Sequence, residues 1–89
     1  MATRIVVHGR VQGVFFRAST RDMAKRLDIG GWVRNDPAGT VTAHLEGSAD
    51  AIEALLRWIR AGGPDHAHVT DVDTISVDDE GHDSFRVRH

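Results

Sequence analysis

Between Ser48 and Pro64 the apolar residues Ile52, Leu55, Leu56 and Ile59 recur at i, i+3, i+4 and i+7, the spacing that lines one face of an α-helix. In water such a stripe needs a flat apolar partner, and the rest of the chain must provide it. Short alternating segments do so. "TRIVVH" predicts a first strand over Thr3–His8, Trp32–Asn35 a second, and Thr40–Glu46 a third with Val41, Ala43 and Leu45 on one face. "VTDVDTISV" reads as a fourth strand whose alternation slips near Val72, the mark of a bulge. "SFRVR" gives a short last strand with Phe85 and Val87 inward. A second helical period, Phe16, Thr20, Met23 or Ala24, and Leu27, sets in near Arg17 and ends at Gly30-Gly31. Ser48 is placed to cap the other helix, and Gly62, Gly63 and Pro64 stop it.

The order is therefore β-α-β-β-α-β plus a short fifth strand, with no linker, low-complexity run or domain boundary. Two amphipathic helices on one face of an antiparallel sheet make a two-layer α+β sandwich of the ferredoxin-like kind, one domain over residues 1–89. A fold of this kind hosts many chemistries, so function must come from particular residues.

Charge narrows the partners. Residues 1–35 hold seven Arg or Lys against Asp22 and Asp28, a balance of +5, whereas residues 36–89 carry four against eleven acids, or −7. A local positive field in a chain of net charge −2 suits a small anion better than a long polyanion. Trp32, Phe15 and Phe16 offer stacking surfaces for a base, but aromatics are sparse and no RNA-binding aromatic stretch is present, so nucleic acid is not expected. With no cysteine there is no disulfide and no thiolate nucleophile or metal ligand. Neither an apolar run near 18 residues nor a signal-peptide pattern occurs, so a cytoplasmic protein without membrane association is expected. Of six histidines only His66 and His68 are close, and "HAH" lacks a third ligand at a recognisable spacing, so no metal or other cofactor is expected. Ser19 and Thr20 have no evident His or Asp partner to activate them.

"HGRVQGVFFR" is the informative stretch. Glycines at 9 and 13 admit backbone angles closed to other residues, so successive N–H groups can converge on one point. The first turn of the helix that follows adds unpaired donors and the positive end of a dipole. Arg17 is ill placed there by a few tenths to ~1 kcal/mol, unless a bound dianion reverses the sign. A guanidinium fork then grips two phosphate oxygens at once. A tight turn with a solvated arginine is the plainer alternative. Asn35, closing the second strand in "GWVRNDPAGTV", is likewise either a turn cap or a non-titrating amide that holds a water molecule. A second strand lying beside the first would bring Asn35 to the loop of Arg17.

"VHGRVQGVFFR" and "GWVRNDPAGTVTAHLEG" together resemble the signatures of the acylphosphatase family, in order and spacing, and "GGPDHAHVTDV" and "FRVR" extend the resemblance over essentially the whole chain. It implies a five-stranded ferredoxin-like sandwich and hydrolysis of the carboxyl–phosphate bond of a small-molecule acyl phosphate; a monomer is expected. Carried onto this sequence, Arg17 becomes the phosphate-binding arginine and Asn35 the residue that orients water. The main-chain amides of Gln12, Gly13, Val14, Phe15, Phe16 and Arg17 become the phosphate loop. His44, in the variable "TAHLEG" stretch, and His66 and His68 depart from the family's pattern and bear on substrate preference rather than reaction class. Two other functions compete with it: a regulatory domain that binds an anion without turnover, and, less favoured, an RNA-binding module of the same fold.

Overall fold

The computed structural model describes residues 2–89. Its elements are β1 (Ala2–Arg10), α1 (Phe16–Arg26), β2 (Gly30–Asn35), β3 (Val41–Glu46), α2 (Ala49–Arg60), β4 (His68–Val77) and β5 (Phe85–Arg88). The five strands form one sheet in the order β4-β1-β3-β2-β5. Pairings β1–β3, β1–β4 and β2–β3 are antiparallel. β5, however, runs parallel to β2, with Gly31 opposite Phe85 and Val33 opposite Val87. The expected antiparallel sheet is thus a mixed one. The long return from β4 brings the chain back in the direction of β2, and nothing in four residues of alternating sequence records that direction.

Both helices cover one face of the sheet. Ile5, Val7, Val33, Ala43 and Leu45 from the strands pack with Phe16 and Ala24 of α1 and with Ile52, Leu55, Leu56 and Ile59 of α2. Ser48 accepts the Ala51 N–H at 3.1 Å and so caps α2 as its sequence indicates. Trp58 stacks on Phe16 at 6.4 Å between centroids, fixing the two helices against each other.

β1 runs two residues beyond the expected His8. Its register against β4 slips between His8, opposite Asp71, and Gly9, opposite Val69, which leaves Thr70 as the extra residue of a bulge. A Cβ on Gly9 would lie 2.0 Å from the His68 carbonyl oxygen. Gly9 therefore serves this close strand contact, not the loop that follows.

The opposite face of the sheet is not simply polar. Thr42, His44 and Trp32 are buried there. The guanidiniums of Arg4, Arg34 and Arg88 lie 5.2, 5.0 and 4.4 Å from the Trp32 ring centroid and cover it. Trp32 is packing, not a displayed stacking surface.

Candidate active site

The loop after β1 enters α1 in an unusual way. Gly13 has φ 74, with open space where a side chain would stand, so its glycine answers a backbone requirement alone. Phe15 follows as the N-cap in the left-handed region, φ 61 and ψ 21, makes no side-chain cap bond, and no acid stands in the first turn. The first helical hydrogen bond runs from the Ser19 N–H to the Phe15 carbonyl at 2.9 Å. The N–H groups of Phe16, Arg17 and Ala18 precede it and have no partner within the helix. Donors and the dipole's positive end therefore point the same way as Arg17.

Gln12 fixes where this loop lies. Its Nε2 donates to the carbonyls of Asp36, at 2.8 Å, and Thr40, at 2.9 Å. The loop is thereby tied to the turn between β2 and β3. That turn is itself braced by the Asp36 carboxylate, which accepts from the Thr40 and Thr42 hydroxyls at 2.8 and 2.7 Å and from Arg34 Nε at 3.3 Å. Burial pushes the Asp36 pKa up, but these donors outweigh it and hold the carboxyl below its usual range.

β2 does not lie beside β1, because β3 separates them. Direct adjacency of the first two strands, one route by which Asn35 could reach the loop, does not occur. Asn35 meets the loop nonetheless, because Gln12 draws the loop across the end of β3. Val33 and Asn35 alternate onto the helix-covered side, and Asn35 shares a pocket of about 380 Å³ with Gly13, Phe15, Phe16 and Arg17. The side chain of Gln12 is turned to the neighbouring turn, and half-buried Val14 packs on the core. Only their main-chain groups remain available to a ligand.

Within the pocket Arg17 donates from one guanidinium nitrogen to the Arg88 carbonyl at 3.2 Å and stands 3.5 Å from His89 Nδ1. The Asn35 Oδ1 is buried and has no hydrogen-bond partner among the described residues. An acceptor in that state costs about 1–3 kcal/mol unless something donates to it. Val11, Ala18, Arg21, Val87 and His89 complete the lining, none of them marked as a site residue by the sequence motifs. For Arg21 a signal existed: it stands four residues after Arg17, on the same helical face.

His44, Glu46, Glu80 and His82 also converge, on the far side of the sheet, with ligand-type atoms all within 4.8 Å of one another. Sequence spacing gave no hint of this group, since β3 and the β4–β5 connection bring it together. Its donors and acceptors are already matched. Glu46 accepts from His44 Nε2 at 2.7 Å and from the N–H groups of Glu80, Gly81 and His82. Glu80 accepts from Trp32 Nε1, His82 Nε2 and Arg4. Arg4 also reaches His44 Nδ1 at 3.1 Å. Because arginine only donates, that nitrogen is an acceptor, and the ring's proton sits on Nε2 facing Glu46. A cation there would have to displace the proton and face a guanidinium, so the group acts as a hydrogen-bonded clasp. His66 and His68 take no part in it.

Residues 3–87 match the family model described as acylphosphatase. The chain is 48% identical over 84 residues to an acylphosphatase of Natronomonas pharaonis, covering 94% of this chain and 90% of that one. It is 49% identical over 87 residues to an acylphosphatase of Nocardioides sp., covering 98% and 87%. The crystal structure of acylphosphatase from Bacillus subtilis superposes with a TM-score of 0.92 at 35% identity, covering 99% of this chain and 98% of that one.

Proposed function

The chain belongs to the acylphosphatase family and hydrolyses acyl phosphates to carboxylate and inorganic phosphate; we propose that it does so in the pocket shared by Arg17 and Asn35. The observation that carries the assignment is the buried, partnerless Oδ1 of Asn35 in the same pocket as a guanidinium and a helix start rich in free N–H groups. An anion binder alone has no use for an acceptor beside its anion. A nucleophilic water does, because it must be held by an oxygen and aimed at phosphorus.

The chemistry asks little more. Carboxylate is a good leaving group and departs without a proton, so neither a general acid nor a metal ion is required. Charge develops on the transferring phosphoryl oxygens, where Arg17 and the loop N–H groups act. Water's oxygen forms the new bond to phosphorus as the bond to the acyl oxygen breaks, and the water proton passes to a phosphoryl oxygen. No Asp or Glu side chain lines the pocket among the described residues, which suits a substrate that serves as its own base. The reading includes metal-independent turnover by a monomer in the cytoplasm. Among the described residues no helix is long and apolar enough to cross a membrane.

The test is turnover of acetyl or benzoyl phosphate in EDTA by the purified protein and two variants. Asn35→Ala is expected to lose ~10²–10³ in kcat while inorganic phosphate still competes for the site. Arg17→Ala loses turnover and phosphate binding together. Undiminished phosphate affinity in that variant removes Arg17 from the site.

A further inference from the structure

Phe15 is 79% exposed. Its backbone lies in the left-handed region, at φ 61, where a bulky side chain is out of place and glycine or asparagine is at ease. The turn into α1 therefore does not call for phenylalanine. The core does not call for it either, since the ring stacking between the helices is made by the next residue, Phe16, on Trp58. Phe15 does line the pocket. There Val11, Phe16 and Val87 supply apolar lining beside the guanidinium and Asn35. At about 380 Å³ the space is in the range of small-molecule sites and roomier than a phosphate needs. A phosphoryl group held by the loop and Arg17 must direct its acyl substituent outward, past this lining.

We infer that Phe15, with Val87, forms a subsite for the acyl group and makes the enzyme favour flat, apolar acyl phosphates over short aliphatic ones. The inference rests on the reading of the site given above. A planar acyl group covers the exposed ring and is stacked by it, as aromatic pairs are. Arg21, also in the lining, points to the competing outcome, a preference for acyl groups that carry a second anion.

The experiment compares kcat/KM for benzoyl and acetyl phosphate in the unsubstituted enzyme, in Phe15→Gly and in Phe15→Tyr. Glycine keeps the left-handed turn and removes the ring; tyrosine keeps the ring. The benzoyl-to-acetyl ratio is expected to fall about three- to tenfold in the glycine variant, mainly through KM, and to stay within twofold in the tyrosine variant. In the unsubstituted enzyme phenylphosphonate should compete several-fold more tightly than methylphosphonate, a readout that depends on no variant. A ratio unmoved by Phe15→Gly, equal affinity for the two phosphonates, or tighter binding of a phosphonate bearing a second phosphate overturns the subsite. Absence of turnover of both substrates by the unsubstituted enzyme overturns instead the reading of the site on which it rests.

Discussion

Arg17 occupies the position in a helix where a cation is least at home, with no acid in the first turn to offset it. Its hydrogen bond to the Arg88 carbonyl orients the guanidinium without neutralising it. Such an arrangement is completed by an anion, and stability should report it. Phosphate at ten times its dissociation constant contributes about 1.4 kcal/mol, or roughly 8 °C in Tm for a domain of this size. A thermal melt of the unsubstituted enzyme is expected to show that shift, and Arg17→Ala to show none. Arg17→Lys should recover little of either binding or turnover, because an ammonium cannot donate in parallel to two oxygens. Recovery to within threefold of the unsubstituted rate would mean that charge alone suffices and the fork geometry is irrelevant.

Among the elements, the loop before α1 is held from outside by Gln12, whose partners lie 24 and 28 residues further along the chain. Gln12→Ala leaves the helix and strands intact but frees the loop from the β2–β3 turn that carries Asn35. The cost to folding is about 1–2 kcal/mol, whereas kcat/KM should fall ten- to a hundredfold, since an error of about 1 Å between water and phosphorus is enough. Unchanged kinetics in a destabilised variant would show that the loop keeps its place unaided. This tether also shows where the sequence stops being informative. Helix faces such as Ile52 to Ile59 were legible because their period is local, and Arg17 because its charge conflicts with its position. The bulge was visible as a broken alternation, though two residues away from Thr70. The order of strands was not legible, so Asn35 reaches the loop by a route that alternation cannot reveal. Nor was the burial of His44, since β3 lies at the centre of the sheet and its outer cover is drawn from Arg4, Glu80 and His82, residues far off in sequence.

That cover binds the whole molecule's far side, where the β4–β5 connection folds over the sheet. Burial works against the Glu46 charge, but N–H donors from Glu80 and His82 and the His44 imidazole outweigh it and lower its pKa from 4.5 to about 2. Glu80 is held at about 2 as well, chiefly by donation from His82 and Trp32. Groups whose folded pKa is depressed favour the native state fully above their unfolded value. That contribution drains away as pH falls towards the folded one. The fold should therefore keep its stability down to about pH 4.5 and lose it between there and pH 2, with Asp36, also depressed, adding to the slope. Glu46→Gln replaces a carboxylate that accepts four donors by an amide that cannot, at a cost of roughly 1–3 kcal/mol at pH 7. Its deficit in Tm should shrink steadily in melts taken from pH 5 to pH 2, where both proteins have lost the charge. A deficit of constant size across that range would assign the effect to packing and remove the clasp's carboxylate from the acid response.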